Sequence, residues 1–253
     1  MAKPAELHSA IVTGAACGIG YAVAQRLVDD GAAVVLNDSD PDALEAAVAA
    51  LRDRGGRCVA CPGDAGDLAV IDTLVASALA LAGRLDWAIA NAGITAFGPF
   101  LSFDVDDFDR VVDLNLRGSF FLAQRAARQM IAQGDGGRVV LMSSVTGVQH
   151  HPDLVAYGMS KAGLRMLAKS IGVELAPHGI TVNAVAPGAT LTERTEQDPD
   201  YHATWSQLNP TGRVGTVDDI ADAVAYLLSD GARHVTAHTL VVDGGWSAVS
   251  PPP

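Results

Sequence analysis

A short apolar run that empties into glycines and then into an amphipathic helix constrains this chain more than any other stretch. Ser9–Thr13 leads into Gly14-Ala-Ala-Cys-Gly18-Ile-Gly20, and Ile19, Val23 and Leu27 stripe one face of a helix that reaches about Asp30. Strand, glycine turn and helix in that order place bare backbone N–H groups and a helix N-terminus at one point, where an anion can be held. The spacing is Gly-x-x-x-Gly-x-Gly rather than Gly-x-Gly-x-x-Gly, so a purely structural turn fits the stretch as well.

The rest of the chain repeats the alternation. Apolar strands are predicted at 32–37, 56–61, 85–90, 138–142, 180–186 and Thr239–Val242, with helices at 41–54, 67–82, 105–133 (with a polar break at Asp113-Leu-Asn115), from Tyr157 onward and at 217–229. No linker, repeat or low-complexity segment interrupts them. The expectation is one α/β domain over 1–253, a doubly wound parallel sheet with right-handed crossovers, and a frayed tail at 250–253. Hydrophobic residues at 49% with only 5% aromatics suit helices laid on a buried parallel sheet.

A net charge of −12 argues against nucleic acid or an anionic membrane as partner. No apolar run approaches ~20 residues, and residues 1–7 lack a signal-peptide core, so a soluble cytoplasmic protein is expected. Three cysteines make no disulfide framework, and Cys58-Val-Ala-Cys61 reads as buried strand thiols. His150 and His151 are adjacent, diverge in direction and lack a third ligand; no metal site is expected, and they read as surface loop residues.

Polar residues gather where strands end. Asp38 follows the second strand about 20 positions after the glycine turn, where a carboxylate accepts from a ribose diol and repels a 2′-phosphate. No Arg or Lys lies beside it, which favours NAD over NADP; an acid at a helix N-terminus before Pro41 is a second reading that fits both. Asp64 follows the third strand, at adenine or as a loop cap. Asn91-Ala92-Gly93 closes the fourth, Ser143-Ser144 the fifth and Pro187-Gly188 the sixth. Asn115, inside a run of Val, Leu and Phe, must find partners, either local backbone or a water near a site.

Tyr157 and Lys161 stand four apart on one predicted helix, so they share a face. A free phenol, pKa ~10, needs about 4 kcal/mol of preferential phenolate stabilisation to reach 7. One lysine charge ~4 Å away at an effective dielectric of ~20 contributes about that much. The pair can therefore serve as a proton relay.

Taken together, Thr13-Gly14-x-x-x-Gly18-Ile-Gly20, Asn91-Ala-Gly93, Asn115, Ser144, Tyr157-x-x-x-Lys161, Pro187-Gly188, Gly212-Arg213 and Asp243-Gly-Gly245 resemble the short-chain dehydrogenase/reductase family over almost the whole chain. That resemblance implies a seven-stranded Rossmann-type sheet, usually in a homotetramer, that moves a hydride between NAD(H) and a secondary alcohol or ketone. It implies Tyr157 as acid/base, with Lys161 lowering its pKa and holding the nicotinamide ribose. Ser144 rather than Ser143 would polarise the substrate oxygen, and Asn115 would hold a relay water. Gly14, Gly18, Ile19 and Gly20 would meet the pyrophosphate, Asp38 the adenosine ribose, Asp64 the adenine, and Asn91 and Gly93 the ribose. Val185, Pro187, Gly188, Thr190 and Thr192 would line the nicotinamide side, Thr190 through its backbone because the family usually has an aliphatic residue there.

The substrate is less constrained. A polar, irregular segment at 189–209 reads as a substrate lid. Gln149, His150 and His151 suggest a sugar, polyol or other hydroxylated molecule; Phe97, Trp205 and Leu208 could instead enclose a steroid, a terpenoid or a 3-oxoacyl chain. A cofactor-binding sensor without turnover is the non-enzymatic alternative, since fold does not fix function.

Overall fold

The computed structural model describes residues 7–249; the tail expected to fray, 250–253, lies outside them. Seven parallel strands form one sheet: β1 (Ser9–Thr13), β2 (Ala33–Asn37), β3 (Arg57–Ala60), β4 (Trp87–Ala90), β5 (Gly137–Met142), β6 (Ile180–Pro187) and β7 (Thr239–Val242). Their order is β3-β2-β1-β4-β5-β6-β7. Central strands are sealed on both faces, so β1 and β6 are buried throughout and mostly apolar, with Asn183 of β6 donating to the Val235 carbonyl, whereas β7 at the edge is half-exposed.

Helices α1 (Gly18–Asp29), α2 (Pro41–Asp53) and α8 (Val217–Leu228) cover one face through Leu27, Leu44, Val48 and Val224. On the other face lie α3 (Leu68–Ala82), α5 (Ser119–Gln133) and α6 (Val155–Leu175), which bury Ile71, Leu74, Leu122, Met130 and Leu164. Each fully buried Leu or Ile contributes about 1.5–3 kcal/mol. Leu74→Ala would leave a cavity costing about 2–5 kcal/mol. Carboxylates cap the helix starts: Asp40 and Asp67 each accept backbone N–H groups, and Thr216 and Asp219 form a reciprocal capping box. Arg213 clamps Asp219 at 2.6 Å, which holds that carboxyl below its usual range and accounts for the Gly212-Arg213 segment as a brace for α8.

Two segments differ from expectation. The polar break at Asp113–Asn115 does not interrupt the helix. Val105–Val111 (α4) passes through a π-helical turn at Val112–Gly118 directly into α5. The wider turn adds a residue and swings Asn115 inward, a distortion that concentrates at functional sites. The segment 189–209 is also not irregular, since it contains a 3₁₀ turn at Thr195–Gln197 and a helix, α7 (Tyr201–Leu208). Trp205 of α7 packs edge-on against Trp246, 5.2 Å between centroids, a contact with the chain's end that local sequence does not report.

The order in which successive strands are added reverses at the β1/β4 pair, although all strands run parallel. The loops after these strands diverge and leave a crevice at the carboxyl ends of the sheet, where ligands of doubly wound folds bind.

Candidate active site

That crevice is a cavity of about 440 Å³ running from Asp38 and Asp64 at one end to Ser144, Tyr157 and Lys161 at the other. Backbone geometry builds the first end. Gly14 has φ +63°, and a Cβ there would lie 2.9 Å from Ala92 Cα; a Cβ on Gly20 would lie 1.9 Å from the Gly14 carbonyl oxygen. Asn91 Nδ2 donates to the Thr13 and Gly14 carbonyls at 2.9 and 3.0 Å. Thr13 Oγ1 in turn accepts from the N–H groups of Asn91 and Ala92 at 3.1 Å. The two loops are thereby locked together, and Gly18 and Ile19 are left facing the cavity. Asp38 accepts from Ala16 N at 3.1 Å and Asp40 N at 3.2 Å. Asp64 accepts from Gly66 N at 2.8 Å, so it caps its loop while still lining the cavity.

Side chains build the other end. Tyr157 stands in the first turn of α6, its hydroxyl hydrogen-bonded to Ser144 and Thr95. Ser143 points away and donates to the Lys161 carbonyl at 2.7 Å, which separates the two adjacent serines by role. Ser144 Oγ also accepts from Thr146 N and Thr146 Oγ1 at 3.2 and 2.9 Å. Lys161 is buried, donates to the Met142 carbonyl at 2.8 Å and lies 5.5 Å from the Tyr157 ring centroid. Burial lowers its pKa from 10.5 to about 8. Burial also raises Tyr157 above the ordinary phenol value, against the opposing pull of Ser144, Thr95 and the Arg194 charge. The expected depression of the phenol by Lys161 is therefore not the dominant effect here, because desolvation acts on both groups and disfavours both charged forms.

Asn115 is fully buried and does not line the cavity. Its Oδ1 accepts from Ile94 N at 2.9 Å, and its Nδ2 donates to Ile94 O at 3.0 Å and Ser160 Oγ at 3.1 Å. Ser160 Oγ donates to the Tyr157 carbonyl at 2.7 Å, so Asn115 links the loop after β4 to the helix that carries the phenol. Gly93 sits between them: a Cβ there would meet Asn115 Oδ1 at 3.0 Å and Lys161 Nζ at 3.1 Å. Gly188 is pressed against Asp243, whose Cβ would be 2.6 Å away from its own, which explains the late Asp243-Gly-Gly245 segment as a support for the β6 end. Pro187, Gly188, Thr190 and Thr192 line the cavity, with Thr190 Oγ1 donating to the Gly188 carbonyl at 3.0 Å. Val185 does not; it belongs to the core beneath α8.

Residues 14–247 match the family model described as "Enoyl-(Acyl carrier protein) reductase". An L-rhamnose 1-dehydrogenase (NAD(P)(+)) of Sphingomonas sp. (strain SKA58) is 36% identical over 96% of this chain and 97% of its own. A cis-4-hydroxycyclohexanecarboxylate dehydrogenase of Sinomonas cyclohexanicum is 40% identical over 95% and 96%. The crystal structure of a short-chain type dehydrogenase/reductase from Mycobacterium marinum superposes with a TM-score of 0.90 at 34% identity, covering 96% of each chain. The chain belongs to the short-chain dehydrogenase/reductase family. It is an NAD(P)-dependent oxidoreductase of alcohols and ketones.

Within this short-chain dehydrogenase/reductase cavity, Thr95, Leu114, Arg194 and Tyr201 are among the lining residues not named one by one from sequence, although Arg194 and Tyr201 fall in the expected lid at 189–209. Thr95 had a faint signal, two positions past Gly93 at a strand end. Arg194 and Tyr201 shared the signal of the whole lid segment but had no individual one, and Leu114, in the π turn, had none. Conversely, Phe97, Trp205 and Leu208 do not line the cavity, and neither do Gln149, His150 and His151. Cys58 and Cys61 are buried in the core, their thiols raised by burial. Among the described residues no cluster of His, Cys, Asp or Glu could hold a metal, and no helix is long and apolar enough to cross a membrane.

A dinucleotide fits these residues. A bare glycine surface, two strand-end carboxylates and a lysine bordering one continuous crevice are the donors and acceptors that phosphate, diol and ribose require.

Proposed function

We propose that this chain is an NAD-dependent dehydrogenase of a secondary alcohol in a hydroxylated small molecule such as a sugar, a polyol or a hydroxylated ring. The carrying observation is Asp38: its carboxylate borders the cavity, while the cations lining that cavity, Lys161 and Arg194, are not at its end of the crevice. A carboxylate accepts from a 2′-hydroxyl and repels a 2′-phosphate. The polar lining at the catalytic end, Thr95, Ser144, Tyr157 and Tyr201, supports a substrate with several hydroxyls. So do relatives whose names specify rhamnose and hydroxycyclohexanecarboxylate.

A bound nicotinamide supplies the hydride acceptor or donor. The chain supplies the rest. Ser144 holds the substrate oxygen, and Tyr157 Oη removes its proton on oxidation or returns one on reduction. Lys161 holds the ribose and favours phenolate by its charge. Asn115 acts through position: it fixes Ile94 and, through Ser160, the first turn of α6. Segment 189–209 acts as the substrate lid over the single domain. Apolar side chains exposed along α4–α6, such as Val105, Met166 and Val173, support a homotetramer, and three unpaired cysteines suit the cytoplasm. The test is kcat/KM across sugars, polyols, hydroxysteroids and 3-hydroxyacyl thioesters with NAD and NADP in parallel. NADP preference would remove the role given to Asp38, and preference for thioesters or steroids would remove the substrate class. Light scattering in solution tests the tetramer.

A further inference from the structure

Arg194 has no assigned task in the proton relay, yet it occupies the catalytic end of the cavity. Its turn is pinned. Thr195 Oγ1 donates to the Thr190 carbonyl at 3.0 Å and accepts from Thr192 N at 2.8 Å, so residues 192–195 form a tight hydroxyl-bonded loop. The two charges at its tip diverge. Glu193 faces the glycine turn, its Oε2 3.7 Å from where a Gly18 Cβ would be. Arg194 faces the other way, close enough to Tyr157 and Tyr201 for its charge to act on both hydroxyls.

Its guanidinium makes no hydrogen bond or ion pair among the described residues. This is notable in a chain with 29 acidic and 17 basic residues, where Arg54, Arg84, Arg125 and Arg213 each hold a carboxylate. A guanidinium stays charged at any working pH and offers a planar fork of donors that matches a carboxylate in two parallel bonds. Exposed at the mouth of the cavity that Thr95, Tyr157 and Tyr201 also line, it is a permanent cation whose charge reaches the Tyr157 hydroxyl.

Building on the dehydrogenase reading above, we propose that Arg194 is a specificity residue that binds a carboxylate on the substrate, which makes this enzyme a dehydrogenase of hydroxy acids rather than of neutral alcohols. The acid group docks on Arg194 while the hydroxyl lies between Ser144 and Tyr157. Glu193, beside it on the same turn but aimed at the glycine turn, disfavours a carboxylate on that side.

The test compares 3-hydroxybutyrate, gluconate and 4-hydroxycyclohexanecarboxylate with their uncharged amides, using wild type, Arg194→Gln and Arg194→Lys. At least one acid should exceed its amide by about 10- to 100-fold in kcat/KM. Arg194→Gln should bring the acid-to-amide ratio close to one, chiefly through the KM of the acid, with any loss of kcat from the missing charge near Tyr157 shared by acid and amide, and Arg194→Lys should restore part of the ratio. In parallel, calorimetry with cyclohexanecarboxylate and its carboxamide on the NADH-loaded enzyme needs no turnover. The acid should bind about tenfold or more tighter to wild type and equally to Arg194→Gln. An unchanged acid-to-amide ratio in Arg194→Gln, or a loss of NADH affinity in its place, would overturn the proposal. Turnover of neutral sugars without acid preference refutes the carboxylate alone. Arg194-dependent acid binding with no alcohol oxidised refutes the dehydrogenase reading alone.

Discussion

The two ends of the cavity are built on opposite principles. At the glycine end, shape is held by main chain: Gly14, Gly20, Thr13 and Asn91 interlock so closely that no side chain can be added. At the catalytic end, function is held by side chains that the fold has partly desolvated, Tyr157 and Lys161, each shifted toward its neutral form. The first end gains from perfect packing, whereas the second stores an electrostatic cost. A protein evolved for stability alone would not bury that lysine.

Substitutions can break this contrast in graded steps. Tyr157→Phe should lower kcat about 10³-fold or more while NADH affinity and melting temperature stay near wild type, since only the proton-transfer group is lost. Near-normal turnover would remove the phenol from the chemistry. Lys161→Met should lower kcat/KM about 10²-fold and at the same time raise stability. A fall in the lysine pKa from 10.5 to about 8 corresponds to about 3 kcal/mol, offset in part by the lost bond to Met142. The sign follows from proton counts: between pH 8 and 10.5 the unfolded state binds more protons, so this penalty is complete below pH 8 and fades as pH rises. Urea unfolding at pH 7 and pH 10 should show the mutant's advantage shrinking; an advantage that grew would contradict the buried charge.

At the glycine end the expected effects run the other way. Gly20→Ala drives a Cβ into the Gly14 carbonyl and should cost about 1–3 kcal/mol of stability along with NADH affinity, measured by denaturation and fluorescence titration. Asp38→Ser should shift the NADP-to-NAD ratio of kcat/KM about tenfold toward NADP; an unchanged ratio would mean that Asp38 only caps its loop. The smallest effect belongs to Trp246→Ala. Removal of the Trp205 prop should raise the alcohol KM a few-fold with kcat and NADH binding nearly unchanged, about 1 kcal/mol at most.

Much of the fold was legible because parallel strands buried on both faces can only be apolar runs, and the capping acids Asp40, Asp67 and Asp219 mark helix starts in the chain itself. Strand limits moved by one or two residues: the expected 85–90 begins at Trp87. The polar break at Asn115 was visible, but not its cause, since a π turn depends on what the extra residue meets across the fold. The site was legible where chemistry demands a residue type at a strand end, as at Gly14, Asp38, Ser144 and Tyr157. It was illegible where residues reach the cavity by packing. Arg194 and Tyr201 lie in the segment expected as a lid, but the sequence does not say which of its side chains reach the cavity. Phe97 and Trp205, candidate pocket walls by composition, turn elsewhere.

The sequence by itself determined the sheet, the nucleotide turn and the spacing that puts a phenol and an amine on one helical face. These follow from backbone sterics and short-range periodicity. Only the tertiary structure decided that burial shifts both groups toward their neutral forms, that Asn115 ties the loop after β4 to α6, and that an arginine without a partner lines the same cavity. Desolvation and long-range packing depend on what surrounds an atom in space, and adjacency along the chain does not encode that.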